Sequence, residues 1–243
     1  MTSTRRRRGL RSLVVAIVLL AGLGLVADRV AESLAEDQLA AAAEDEAARY
    51  DVRAAATSAE IGGGPGFLPQ LVRGDFSRIT LTMQRPTIAS VPAEELTADL
   101  TGIQVPREVL TGGRGATVTV DSADIRLRMT PDALARFAAR TSGLDRLTLR
   151  VADGRLRAQL TVRGVEAAAV VRPQVRDGRV VLVIDDLPGV PSAVRDVVRE
   201  LLGRGIDVSD LPFGAALKQV AVVGQSVVLT ATASDVELRP ASP

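Results

Sequence analysis

Much of the chain beyond residue 75 alternates apolar and polar positions, which is the pattern of strands that bury one face. Apolar side chains take every second position in residues 78–85, and residues 117–120 and 125–129 predict two further strands. Three more pairs of alternating segments are separated by short turns, two of which contain Asp-Gly, a preferred sequence for a hairpin turn. The predicted hairpins pair residues 147–151 with 156–162, 165–172 with 180–184, and 220–223 with 227–232.

Helical patterns interrupt these strands. Thr130-Pro131-Asp132 is typical of a helix start and predicts a helix to about residue 140. Residues 67–72 predict a short helix, and residues 91–102 a short helix or turn. Ser192 begins a segment with an apolar stripe at helical spacing. The stripe consists of Val194, Val197, Val198, Leu201 and Leu202. Together the elements predict an α+β fold, with long antiparallel hairpins packed on amphipathic helices.

The N-terminus has the pattern of an export signal. Five arginines precede residues 13–27, which carry no charge. A helix over residues 9–27 would be about 28 Å long, close to the thickness of a bilayer core. Leu25 stands where a cleavage site needs a small residue, so we expect an uncleaved anchor rather than a cleaved signal. Either outcome places the arginines in the cytoplasm and the rest of the chain outside it.

The predicted organisation therefore has three parts. Residues 1–28 form a basic tail and signal anchor, and residues 61–243 an extracytoplasmic α+β domain. Between them, residues 29–60 form a helical segment or stalk. Residues 29–50 are rich in alanine and glutamate and predict a mostly solvated helix, and the glycines at 62–64 end regular structure.

Charge argues against nucleic-acid binding. Residues 1–28 hold five arginines and one aspartate of a chain whose net charge is +1, so the remainder is acidic, at −3. Phosphate contacts dominate affinity for nucleic acids, and an acidic domain is poorly suited to make them.

Composition narrows the chemistry further. The chain has no cysteine and no histidine, which excludes disulfides, cysteine nucleophiles, Ser-His-Asp triads and most transition-metal sites. The adjacent carboxylates of Asp185 and Asp186 are the nearest approach to an acid/base pair or cation site. Consecutive residues of an extended chain point in opposite directions, so a solvated turn is favoured there. We expect neither catalysis nor a cofactor, and a hydrolase is the weakest of the hypotheses.

The apolar strands leave two hypotheses open. Strands rich in valine and leucine, closed by the stripe that begins at Val194, build either a filled core or an apolar groove. A groove would take acyl chains, because each buried methylene contributes about 0.8 kcal/mol. A filled core would favour a scaffold that binds other proteins of the cell envelope.

A family resemblance favours the groove. Residues 66–79, GFLPQLVRGDFSRI, resemble the signature of the actinobacterial LmeA-like phospholipid-binding proteins, although Pro69 here follows Leu68 directly. Residues 211–220 and 235–238 resemble that family's C-terminal segment, and the order of elements is similar over residues 10 to 240.

The resemblance implies a phospholipid-binding protein of the cell envelope. Its fold would be similar to tubular lipid-binding domains, in which a long, highly curved sheet wraps around a helix. Its partners would be a phospholipid and the membrane, with envelope glycosyltransferases as further candidates, because in mycobacteria such a protein supports lipomannan elongation. The residues predicted to line the groove are Phe67, Leu68, Leu71, Phe76, Val194, Val197, Val198, Leu201 and Phe213.

Overall fold

The computed structural model describes most of the chain. Backbone is described for residues 4–64, 66–88, 90–110, 116–144, 146–162, 164–208, 211 and 214–238, and side chains within these ranges from residue 26 onward, except at 109, 110, 193 and 238. The helices are α1 Thr4–Arg49, α2 Phe67–Arg73, α3 Arg107–Leu110, α4 Pro131–Ser142 and α5 Ser192–Gly203. The strands are β1 Val52–Arg53, β2 Ala56–Gly62, β3 Asp75–Gln84, β4 Thr87–Ile88, β5 Val91–Pro92, β6 Glu95–Gln104, β7 Val118–Met129, β8 Thr148–Ala152, β9 Arg155–Val162, β10 Val165–Arg176, β11 Arg179–Asp186, β12 Ile206–Asp207, β13 Ala216–Val223 and β14 Ser226–Leu238.

The strands form antiparallel sheets, as the alternating pattern predicts. The long sheet has the order β13-β14-β7-β6-β3-β2, a second sheet has the order β12-β11-β10-β9-β8, and β1, β4 and β5 form a small third sheet. Strand β10 of the second sheet contacts β13 at the edge of the long sheet, so the two sheets meet there. The α+β class and the antiparallel sheet are confirmed.

Two hydrophobic clusters lie at opposite ends of the long sheet. The α5 cluster lies between α4, α5 and the second sheet, and the α2 cluster lies under α1 and α2. Members of the α5 cluster include Leu134, Leu149, Leu156, Val171, Val198, Leu202 and Val227. Members of the α2 cluster include Ile61, Phe67, Phe76, Ile103, Val120, Ala233 and Val236. Strand β14 reaches from one to the other, and its 13 residues extend about 40 Å.

Four neighbouring strands each carry one extra residue at the same level of the sheet. In β7, Val120 and Ala123 both face the α2 cluster although they are three positions apart, because the alternation changes phase between them. The inserted residues of neighbouring strands lie side by side and form a step across the sheet. The apolar side chains therefore face inward both before and after this step. The inserted residues are Ser77, Gly102, Asp121 and Asp235. This step explains why the sequence pattern predicted two strands at 117–120 and 125–129 where the structure has only β7.

Gly102 is the tightest point of this step. It has a φ of 62°, and a Cβ built there would lie 2.8 Å from the Cβ of Asp121 on the next strand. Gly102→Ala is expected to lower the free energy of unfolding by about 3 kcal/mol, combining left-handed strain with overpacking. Gly154→Ala is the control, because Gly154 has a φ of 70° with no atom within 4 Å of the added Cβ, so only strain of about 1–2 kcal/mol applies. Urea unfolding measures the free energy of unfolding of both variants. Equal decreases in the two would show that the crowding at Gly102 has no effect.

The predicted stalk packs against the domain. Ala31, Ala35 and Leu39 of α1 lie against the α2 cluster, and residues 52–53 and 56–62 form strands rather than continuing the helix. The mostly solvated helix predicted for residues 29–50 is confirmed, since α1 continues to Arg49 and none of its residues from 29 onward is buried. The prediction missed its contact with the domain, in which small alanine side chains let the helix pack closely against the sheet.

Strand β6 corrects a second prediction. Residues 91–102 were expected to form a short helix or turn, but they contain β5 and most of β6, which pairs with β3 and β7. Pairing on both edges outweighs the helix-start signal of Pro92 and the following glutamates. The three hairpins and the helices at α2, α4 and α5 are confirmed, although no side chain caps α5, whose N-cap residue is Pro191 rather than Ser192.

Among the residues whose side chains are described, none of the helices combines the length and the apolar character needed to cross a membrane. All but the last two positions of the predicted anchor, residues 13–27, lie outside those residues, so the anchor stays a prediction.

Candidate functional site

A strip of half-buried apolar side chains crosses the inner face of the long sheet between the two clusters. The central strip consists of Leu81, Leu96, Ala98, Ile125 and Leu127. Its members are cross-strand neighbours: Leu81 pairs with Ala98, Ala98 with Ile125, and Leu96 with Leu127. The register of β3, β6 and β7 therefore assembles one continuous apolar surface from residues far apart in sequence.

Two residues of this strip belong to neither hydrophobic cluster. Leu96 and Ala98 pack into neither hydrophobic cluster, whereas Leu81, Ile125 and Leu127 each touch the border of one. The apolar area that a half-buried leucine still exposes on the inner face of a sheet is a surface that an apolar ligand covers favourably, at about 25 cal/mol per Å².

The opposite face of the same strands is polar and paired. Asp99 accepts hydrogen bonds from the Thr80 hydroxyl at 2.8 Å and from Arg126 at 2.6 Å. Asp124 accepts one from the Thr232 hydroxyl at 2.9 Å. These polar groups hydrogen-bond to one another at the surface. Covering them with an apolar ligand would remove them from water, which is unfavourable.

An open cleft of about 510 Å³ lies where the two sheets meet. Its volume falls within the range of roughly 300–1,000 Å³ that is typical of small-molecule sites. Its walls are apolar in part, from β9, β10 and β13, and its rim carries Arg155, Arg172 and Asp185.

Asp185 is held by Arg172 in a bidentate pair. Nε of Arg172 donates to both carboxylate oxygens at 2.9 Å, and its Nη2 donates to Oδ1 at 2.7 Å. A register shift brings them together, because Val170 pairs with Asp186 and Val171 with Ile184, which leaves Asp185 as the extra residue. These hydrogen bonds lower the pKa of Asp185 below its ordinary value of 3.8. The carboxylate is therefore bound to a guanidinium rather than placed beside Asp186 for acid/base work.

Arg172→Gln is expected to raise the pKa of Asp185 towards 3.8. Because the folded pKa is depressed, the pair stabilises the fold fully above that value and loses its effect as the pH falls through the lowered pKa. Titration of the side-chain carboxyl by NMR measures the change. Arg176→Gln, on the same strand but away from Asp185, is the control and should leave the titration unchanged; a pKa that does not rise in Arg172→Gln would contradict the assignment.

Gln70 organises the segment that carries the family signature. Its side chain is 2% exposed, and its Nε2 donates to the carbonyls of Gly63 at 2.7 Å and Gly66 at 3.1 Å. Its Oε1 accepts from the backbone N–H of Ser77 at 3.0 Å, at the step in β3. Gln70 therefore joins the glycine loop, α2 and β3, a role that sequence reasoning missed although the residue lies inside the signature.

Asp28 caps α2 from a distant part of the chain. Its carboxylate accepts from the backbone N–H groups of Phe67 at 3.1 Å and Leu68 at 2.6 Å. The start of α2 otherwise has no side-chain cap, because Gly66 occupies the N-cap position. Nothing in the local sequence indicates this contact, which links the signature helix to the end of the predicted anchor.

The predicted lipid-contacting residues fall into two groups rather than one groove. Phe67 and Phe76 are buried in the α2 cluster, with ring centroids 6.2 Å apart, and Leu71 packs on its border. Leu68 is 37% exposed on the outer side of α2.

The second group lies on α5, at the other end of the sheet. Val194 and Val198 are buried in the α5 cluster, and Val197 and Leu201 are half-buried against it. Phe213 lies outside the described residues. Contact of these residues with lipid stays a prediction, and the central strip, which lies between the two groups, is absent from the predicted set.

Comparison with known proteins gives one match. A family model described as LmeA-like phospholipid-binding matches residues 26–232. Searches of curated proteins and of solved structures returned no match.

Proposed function

The chain belongs to the LmeA-like phospholipid-binding family, and from this premise we propose that it holds the acyl part of a phospholipid on the central strip. The observation that carries the proposal is the half-burial of Leu96 and Ala98, which lie on the apolar face of the sheet and pack into neither cluster. About eight methylenes covering such a surface contribute roughly 6 kcal/mol before the cost of ordering the chain. The family is one of phospholipid-binding proteins rather than of enzymes, and the proposal involves no covalent step.

Three of the residues predicted from the sequence extend this site. Leu71 at one end, and Val197 and Leu201 at the other, are half-buried where they border the clusters. A lipid reaches such side chains without opening a cluster, whereas Phe67 and Val198 are accessible only if packing is lost. We therefore extend the proposed acyl path from the central strip towards these three positions.

The proposed location is the outer face of the cell membrane. The basic residues before 13–27 and the absence of charge within that run support an anchor with a cytoplasmic N-terminus. An anchored lipid-binding domain suits a role in envelope biogenesis, in which phospholipid passes between the membrane and envelope enzymes such as glycosyltransferases.

Native mass spectrometry of the full-length protein, with lipid extraction from the same sample, tests this function. We expect a phospholipid that co-purifies at a defined stoichiometry. A mass without lipid, unchanged after incubation with phosphatidylglycerol vesicles, would contradict the proposal.

A second candidate function is a non-catalytic envelope scaffold. It is favoured by the tight packing of the α5 cluster, where Val198 and Leu202 expose 0% and 1% of their surface. The same experiment separates the two, because a scaffold needs no bound lipid.

A further inference from the structure

Helix α2 leaves two large aliphatic side chains in water. Leu68 is 37% exposed and Val72 is 71% exposed, and they stand four positions apart on the side of the helix away from the buried Phe67 and Gln70. Arg73, also exposed, follows at the end of the helix. Aliphatic side chains beside a cation on the outer side of a surface helix are typical of a helix that lies at a lipid headgroup boundary.

The position of α2 in the chain indicates which surface it meets. Its first N–H groups bind the carboxylate of Asp28, and Asp28 directly follows the uncharged run at residues 13–27. The start of α2 is therefore within hydrogen-bond distance of the residue at which the apolar run ends. Val26, two residues before Asp28, is itself 63% exposed.

We propose that the outer side of α2, with Leu68, Val72 and Arg73, docks on the surface of the bilayer. The proposal rests on the membrane anchor of the proposed function, since the anchor brings Asp28 to the interface and Asp28 holds α2 beside it. Val72 lies four residues after Leu68, about 6 Å along the helix axis, and so stays within reach of the headgroup region.

This contact would orient the domain. Strand β3 of the long sheet begins immediately after α2, at Asp75, so the α2 cluster would stand next to the bilayer and the α5 cluster at the far end. The β13–β14 turn, beyond Val223, belongs to that far end, because β14 starts in the α5 cluster and ends in the α2 cluster. A lipid that leaves the bilayer beside α2 would reach Leu71 first and the central strip next.

The absence of cysteine makes this orientation measurable, since one introduced cysteine can carry the only thiol-directed label. Val72→Cys and Val223→Cys are the matched pair, because both replace exposed valines, of which Val223 is 49% exposed. Each full-length variant, labelled with the fluorophore NBD, is reconstituted in vesicles of phosphatidylcholine and phosphatidylglycerol, with or without brominated acyl chains.

We expect bromine to quench the probe at position 72 by about twofold or more and to leave the probe at position 223 unchanged. Equal quenching at the two positions would overturn the proposal, and so would a chain that does not sediment with the vesicles. A probe at 72 that shifts to the blue without bromine quenching would also overturn it, because a second protein copy would then cover α2. Lipid that co-purifies in native mass spectra while the probe at 72 stays in water would reject the docking surface and leave the lipid-binding function standing.

Discussion

Leu96→Asp is expected to weaken phospholipid binding at least about tenfold while the protein stays folded. A bound acyl chain would remove the new carboxylate from water without giving it a partner, and that desolvation costs several kcal/mol. Leu96 is half-buried and lies outside both clusters, so the substitution replaces no side chain of either cluster. Transfer of a fluorescent phospholipid from vesicles to the protein measures the loss of affinity.

Thr97→Asp is the matched control for this experiment. Thr97 is the next residue of β6 and points to the polar face, where its cross-strand neighbours are Thr82 and Arg126. The same charge introduced there should leave lipid binding within about twofold of the wild type, because the acyl chain never covers it. Equal losses in the two variants would place the lipid elsewhere on the molecule.

Val198→Asp is expected to unfold the protein rather than to block a lipid groove. Val198 exposes 0% of its surface in the α5 cluster, so the carboxylate would be buried without a partner. The expected loss is about 4 kcal/mol or more, a large part of the 5–15 kcal/mol by which domains are usually stable. Thermal unfolding followed by circular dichroism measures it.

Val223→Asp makes the same chemical change at an exposed position. Val223 is 49% exposed at the end of β13, and the expected loss is within about 1 kcal/mol. If Val198→Asp were as stable as Val223→Asp, the interior at α5 would have to hold solvent or a groove, and the buried residues of the α5 stripe would also become candidate walls of the lipid site.

The hairpins could be predicted because their signals are local. In both Asp-Gly turns the aspartate and the glycine have positive φ, with Asp153 at 54° and Asp177 at 50°, as a type I′ turn requires. Alternation on either side then fixes which residues face inward. The helix at α4 was equally visible, because Thr130 accepts the N–H of Ala133 at 3.1 Å, as its sequence indicates.

The rest of the fold depends on contacts between distant residues. Asp28 caps a helix 39 positions away, and Gln70 joins three segments through backbone groups that carry no sequence signal. The step at Gly102 interrupts the alternation of apolar and polar residues within each strand. The sequence does not reveal that these interruptions lie side by side, because that depends on how the strands pair.

The candidate site was missed for the same reason. Family resemblance and helix amphipathicity directed attention to Phe67 and to the α5 stripe, both of which contribute to filled clusters. The central strip is assembled by register across β3, β6 and β7, and β6 was not predicted as a strand. The family, in contrast, could be recognised from the signature around Gln70, and the family match confirms that assignment.

The most direct test is photocrosslinking with a phosphatidylglycerol whose acyl chain carries a diazirine, followed by residue-level mass spectrometry of the full-length protein. Acyl chains lying on the central strip predict adducts at Leu81, Leu96, Ile125 and Leu127, and none at Thr97 or Arg126 on the opposite face. Adducts confined to α2 or to the polar face, with the strip unlabelled, would contradict the account.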